Sequence, residues 1–390
     1  MRIRLLSCLA VALLGLTACT SRSATSSANV STAVLYLAAQ GDATISAYDA
    51  TLSSGSLAAL GNTLPTGKMP FAIALTPSLN AMFVDNNGSN SVSAYSINSD
   101  GSLSAATGTA ATGSMPMGMA IDPSGKFLFV ANQGSSNISV FSINGTSLTK
   151  VPGSPFTTIP AGTAEATLPS AVAVSATGKF LYVANNFTGT VSAYSIAPSG
   201  TLSPLGPNPY IVGNAPSGLG MTPDGGFLYV ANTGSNNVSA FAICDKVTTS
   251  CADPSAPDGT LTQVAGSPFS AGLGPVAIAV DPAFKFLYVL DKQSSQISEY
   301  TYAPGTGALS ALSTPSISTG LTPFSFVIVA GATGTNLGNT LTEPTDFMYV
   351  TNNGASTLSA FTLNTTSGVL TPIGIASTVT GGNPSAVAAD

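Results

Sequence analysis

The chain has 390 residues, ten Lys and Arg against sixteen Asp and Glu, and neither His nor Trp. Only 7% of its residues are charged while 44% are hydrophobic, and Gly and Pro are abundant, a composition of strands and turns with few helix-forming Glu, Lys or Arg surfaces. An acidic chain without a basic cluster is a poor partner for nucleic acid or anionic headgroups, and a chain without His excludes His-activated nucleophiles and His-ligated haem.

In chain order, MRIRLLSCLAVALLGLTACTS opens with Arg2 and Arg4 and an apolar run from Leu5 to Leu16. This reads as a secretory signal over residues 1–18, too short for a committed transmembrane helix. The tetrad Leu16-Thr17-Ala18-Cys19 resembles the bacterial lipobox, which implies lipidation of Cys19; the alternative is an ordinary cleaved signal. Ser21 at the second mature position favours the outer membrane by resemblance to Gram-negative lipoproteins. Several acyl chains at one terminus hold a soluble body stably to a bilayer. Removing Arg2 and Arg4 leaves a net charge near −8. Residues 19–33 supply the lipidated Cys and a Ser/Thr-rich, aperiodic tether. Cys244 and Cys251 are then the only thiols of the body; they bracket DKVTTS and predict a disulfide in an oxidising envelope. Two thiols without neighbouring ligands make a poor zinc site.

From Val34 onward one pattern repeats. FLFVANQGSSNISVF begins at Phe127, FLYVANNFTGTVSAY at Phe180, FLYVANTGSNNVSAF at Phe227 and FMYVTNNGASTLSAF at Phe347, with looser copies at Val34, Ala81 and Phe286. Alternation such as Val-Ser-Ala-Tyr puts every second side chain on one sheet face, a strand signature. Each unit reads as a Pro-led apolar strand, a tight turn, the FLYVAN strand, an Asn/Gly/Ser turn, the VSAY strand and a short outer strand. Four antiparallel strands per 45 to 60 residues is the arithmetic of a β-propeller blade. The aromatics Tyr36, Phe83, Phe129, Tyr182, Tyr229, Tyr288 and Tyr349 are spaced 47, 46, 53, 47, 59 and 61 residues apart, so insertions fall in loops.

Pro-led first strands begin at Pro70, Pro116, Pro169, Pro216, Pro275 and Pro323; the first unit lacks one, and NPSAVAAD at the C-terminus is an orphan. An all-β, seven-bladed propeller over residues 34–390 follows, its first blade closed by the C-terminal strand so that no edge stays open. The Asn that ends the second strand (Asn86, Asn132, Asn185, Asn232, Asn352) reads as an Asx-type turn, and Ser192 and Ser239 read as strand residues.

YVTN at Tyr349–Asn352, its YVAN siblings and the PSGKF turns resemble the YVTN-repeat propellers and the wider lactonase-type (6-phosphogluconolactonase-like) seven-bladed family over residues 34 to 390. The motif specifies the blade rather than the reaction. The family's catalytic members rely on His, Arg and Glu around the central channel, whereas this body has no His and no Arg beyond Arg22. Lactone hydrolysis needs a base and donors for the developing oxyanion. On the face where loops entering the first strands meet those joining second and third strands, Glu165 is the catalytic candidate and Lys68, Asn214, Asp291, Lys292 and Asn383 are ligand-binding candidates. Against this, Glu165 reads as a solvated loop carboxylate and Asp291–Lys292 as a surface ion pair. GLGPVA at Gly272 leads into a strand rather than the helix a dinucleotide fingerprint needs. The long insertions, Cys244–Cys251 and 331–347, mark the opposite face as a contact surface. The sequence therefore predicts a monomeric, envelope-anchored, non-catalytic binding propeller without cofactor or metal, held to the membrane by its N-terminal lipid. Its partner would be a protein, glycan or envelope polymer; the alternative is a lactone hydrolase resembling 6-phosphogluconolactonase.

Overall fold

The computed structural model describes residues 32–160, 162–206, 208–247, 251, 255–331, 345–373, 378–379 and 381–390. The signal segment, Cys19, almost all of the tether and most of the 331–347 insertion lie outside them. Among the described residues no helix is long and apolar enough to cross a membrane.

Seven antiparallel sheets are arranged as a ring of blades. Blade 5 shows the pattern: an innermost strand Pro216–Met221, a second strand Phe227–Asn232, a third Asn237–Ile243 and an outer Leu261–Gln263. Blades 2, 3, 4, 6 and 7 begin with innermost strands at Pro70, Pro116, Pro169, Pro275 and Pro323. In blade 1 the innermost strand is Pro384–Ala389, paired antiparallel with Thr32–Ala39 from Leu35↔Ala389 to Ala39↔Pro384. Asp390 locks the seam: its amide donates to Val34 O and its carboxylate accepts the Val34 N–H at 2.6 Å. The expected closure of the ring by both chain ends is therefore present.

The outer strands depart from the expected four per blade. In blades 3, 4, 5 and 7 the outer edge is split into two short strands, both paired with the third. Where the edge bows away in blades 3, 4 and 5, a side chain preceding Pro replaces the missing carbonyl. Ser154 Oγ accepts the Val140 N–H, Asn208 Oδ1 that of Ala193, and Ser267 Oγ that of Ala240. A buried amide is thus satisfied without a strand opposite it.

The FLYV segment explains how blades are fastened. Alternate side chains point to opposite neighbours: Phe180 and Tyr182 pack with Leu228 and Val230 of blade 5, whereas Leu181 and Val183 pack with Phe129 and Val140 of blade 3. The Tyr hydroxyl then reaches a turn of the following blade. Tyr182 donates to Gly259 O, Tyr229 to Gly307 O, Tyr288 to Gly368 O, Tyr349 to Gly55 O and Tyr36 to Gly101 O, at 2.7–3.0 Å. The preceding Phe lies on the same turn: a Cβ at Gly307, where φ is +72°, would come within 2.3 Å of the Phe227 ring. Glycine is required there both for the left-handed backbone and for room.

Candidate functional site at the channel mouth

Every innermost strand enters through the same turn. The residue before Pro is left-handed in all seven blades: Met69, Met115, Leu168, Ala215, Gly274, Thr322 and Asn383, with φ between +47° and +66°. Its carbonyl accepts the amide of the residue after the second strand, from Asn87 N–H to Met69 O through Lys292 N–H to Gly274 O. Repeated strain of this kind persists only where surrounding bonds over-determine it.

The strand register shifts just after Pro, a β-bulge, in all seven blades: Pro323 pairs with Asn352 and Ser325 with Thr351, leaving Phe324 unpaired, and Pro384 pairs with Ala39 and Ala386 with Ala38, leaving Ser385 unpaired. Bulges re-aim a side chain out of the ladder. The seven residues following Pro are Phe71, Met117, Ser170, Ser217, Val276, Phe324 and Ser385. The serines turn into the blade interface, Ser170 donating to Pro216 O, Ser217 to Pro275 O and Ser385 to Pro70 O. The apolar four have no such bond to make and stay partly exposed. Phe71 and Phe324 belong to blades 2 and 7, which flank blade 1, yet their rings meet edge to face with centroids 4.9 Å apart. Belonging to the two blades on either side of blade 1, they meet across the innermost strand of that blade.

Both phenylalanines are held by a polar residue found at that place in no other blade. The third residue of YVAN is Ala in blades 3, 4 and 5, Leu290 in blade 6 and Ala38 in blade 1, but Asp85 in blade 2 and Thr351 in blade 7. Asp85 Oδ1 accepts the Ala72 N–H at 2.6 Å and also receives the Phe71 amide. Thr351 Oγ1 accepts the Ser325 N–H at 3.0 Å and donates to Ser325 O. These are bonds to the backbone of the bulges that carry the two rings. Asp85 is fully buried and its second oxygen has no hydrogen-bond partner; desolvation raises its carboxyl to about 7 against the lowering effect of the two amides.

Lys292 completes the mouth. In blades 2, 4, 5 and 7 the residue at this place bonds across to a neighbouring Pro carbonyl: Asn87 to Pro116 O, Asn186 to Pro216 O, Thr233 to Pro275 O and Asn353 to Pro384 O. Lys292 instead sets its Nζ 4.8 Å from the centre of the Phe324 ring, a cation–π contact. Partial burial lowers its pKa.

Asp291 and Lys292 therefore do not form the expected surface ion pair. Consecutive strand residues point to opposite sides, so Asp291 faces into the blade, fully buried, and accepts from Ser298 Oγ at 2.6 Å. Desolvation raises it to about 6, opposed by Ser298, Gln296 and the Gly272 amide. The Asx-turn expectation is also corrected. Asn86, Asn132, Asn185, Asn232 and Asn352 are buried and donate across the sheet to Ser93, Ser139, Ser192, Ser239 and Ser359 at 2.8–3.0 Å. Asn232 and Asn352 also accept the amides of Gly213 and Gly320 from the entering loops. The side chain ties turn, strand and loop together, which a buried amide can do and a two-residue turn cannot.

The remaining sequence candidates sit on the same face without converging. Lys68, Asn214 and Asn383 are exposed in the turns before Pro70, Pro216 and Pro384, and Glu165 is exposed in the loop before Pro169. Asn383 donates to Asn353 O. Around them stand exposed apolar side chains, Met69 and Met115 before the Pro residues, Leu273 and Leu321 in the entering loops, and Phe187 in a second-to-third-strand turn. Cys244 and Cys251 are joined by a disulfide between the third and outer strands of blade 5. Among the described residues no group of three or more His, Cys, Asp or Glu could hold a metal ion.

The lactonase, seven-bladed β-propeller family matches this chain over residues 27–152, 152–253 and 244–390. The chain belongs to that family. Its fold is similar to a provisionally assigned 6-phosphogluconolactonase of Bacteroides uniformis, at 17% identity over 92% of this chain and 100% of that one, with a TM-score of 0.73. A counterpart from Bacteroides fragilis gives 18% identity, 92% and 98% coverage and a TM-score of 0.74. A periplasmic gluconolactonase of Pseudomonas aeruginosa gives 20%, 92% and 99%, and 0.72. At such identities the likeness is one of fold, and the site must speak for the chemistry. No functionally curated protein matches the sequence.

Proposed function

We propose that this lactonase-family propeller is an exported, lipid-anchored binding module that takes its ligand at the channel mouth and does not turn it over. The observation that carries this reading is the bulge ring itself: Phe71, Met117, Ser170, Ser217, Val276, Phe324 and Ser385 include no acid or base. The nearby carboxyls, Asp85 and Asp291, are tied to backbone and Ser donors behind the wall. A lactonase needs a base able to reach water beside the substrate and donors for the oxyanion; Lys292 is the ammonium set against the aromatic pair, while Lys68 and Glu165 stand exposed in separate entry loops without converging on it. The ring places the start of its first strand, Thr32, at the end remote from Ala39, which pairs with Pro384 at the mouth. An anchor at Cys19 would then leave the mouth facing away from the bilayer.

The second reading, a lactone hydrolase, is favoured by the family and by the names its structural neighbours carry. A panel of sugar lactones tests the two. The binding reading expects hydrolysis at the rate of the blank for every lactone; a rate well above it that disappears in Glu165→Gln would replace binding with catalysis.

A further inference from the structure

Three features of the mouth lack a structural reason. Blades 4 and 5 close their part of the channel wall with Ser170 and Ser217 hydrogen-bonded to neighbouring Pro carbonyls, so the frame requires neither aromatic nor cationic side chains at these places. Phe71 and Phe324 are nevertheless brought ring to ring, each through a polar backbone clamp that only its own blade possesses. Lys292 lacks the cross-blade bond that four of its counterparts make, and its ammonium is partly sheltered over one of those rings with no carboxylate beside it among the described residues. Sheltering a cation costs solvation unless something returns it, and a ring face returns part of it.

Resting on the binding reading above, we propose that the mouth recognises a small carboxylate borne on an aromatic or other flat apolar ring. The ligand ring lies against Phe71 and Phe324, and its carboxylate meets Lys292. A neutral ring would satisfy the aromatic pair but leave the ammonium short of a counter-charge. A cationic ring would be repelled by the ammonium that already occupies the Phe324 face. A plain acetate would lack the apolar contact; offset or edge-to-face rings contribute beyond their buried area. Asp85 and Thr351 are positioning residues, acting through the bulges that carry the rings. Lys68 is the other basic side chain at this rim, and being exposed it adds only screened attraction.

Calorimetric titration of the full body with 2-naphthoate, 2-naphthalenemethanol and 2-naphthylmethylammonium separates these cases. The expected order is naphthoate above the alcohol, with the ammonium compound not binding. Lys292→Thr, the residue blade 5 carries in this place, should weaken naphthoate by about tenfold or more and leave the alcohol unchanged, as loss of one sheltered charge contact does. Phe324→Leu should weaken both ligands. Should Lys292→Thr lose its fold, Lys292→Met serves the same comparison, and Phe324→Leu remains as an independent arm. Naphthoate bound equally by wild type and the Lys292 variants, or not bound by wild type at all, would overturn the proposal. If naphthoate fails and lactones also stay intact, the ligand class is wrong while the binding reading stands; if lactones are hydrolysed, the reading itself fails.

Discussion

Blades 5 and 6 share a frame and differ at three places that matter. Blade 5 reads Asn232, Thr233 and Ala240 where blade 6 reads Asp291, Lys292 and Glu299. In blade 5 the three are quiet: Asn232 holds Ser239 and the Gly213 amide, Thr233 holds Pro275 O, and Ala240 fills the interface to blade 6. In blade 6 two carboxyls are buried, each with an oxygen that has no hydrogen-bond partner, and a cation is moved onto the channel. Glu299 is pushed up to about 7 by burial, countered by the Leu370 amide. Blade 5 thus shows that the repeat tolerates neutral residues at all three positions. The charges of blade 6 are therefore an addition to the fold, and each can be removed to ask what it adds.

The largest effects should come from what both blades share. Gly307→Ala would set a Cβ against the Phe227 ring in a left-handed turn, and a loss of about 2–4 kcal/mol in chemical denaturation is expected. A variant as stable as wild type would mean that the Phe-Tyr staple on this turn is not what fastens blade 5 to blade 6. Tyr229→Phe removes only the bond to Gly307 O and should cost about 1 kcal/mol, since Phe83 and Phe129 already stand at this place elsewhere.

Next come the buried carboxyls, whose signature is pH dependence. Asp85 and Glu299 at about 7 and Asp291 at about 6 all titrate above the usual carboxylate range. A raised folded-state pKa contributes stability that is present below the unfolded value, near 4, and lost as pH rises through the folded one. The protein should therefore melt higher at pH 5 than at pH 8. Asp291→Asn, which restores the blade 5 residue, should gain on the order of 1 kcal/mol at pH 8 and little at pH 4. A gain confined to low pH would reverse the assignment. The smallest effect is on stability at Lys292→Thr, within about 0.5 kcal/mol of wild type, although binding should change.

Most of the fold was legible because it rests on strand alternation, turn residues and a count of Pro-led strands. Even the join of Pro384–Ala389 to Thr32–Ala39 followed from one missing and one surplus strand. The split outer edges were not legible, because Ser154, Asn208 and Ser267 act as carbonyl substitutes, a role that leaves no periodicity. The site was legible only as a face. Phe71 and Phe324 read as ordinary members of apolar strands, and only the bulge after Pro frees them to meet each other. Asp291 and Lys292 were singled out but read as partners, because adjacency in sequence hides that neighbouring strand residues point apart. YVTN marked the family, while its Thr351 takes a role that Ala at the same place in YVAN cannot.

On the proposed reading the seven-fold frame is scaffold and its departures at the channel mouth bind a ligand. The triple variant Phe71→Ser, Lys292→Thr, Phe324→Ser carries at each place a residue that another blade already uses. Thermal melting and 2-naphthoate titration on the same sample should show a midpoint within about 5 °C of wild type and no detectable binding. A folded variant that binds as wild type does, or one that unfolds, would contradict the division of the molecule into frame and site.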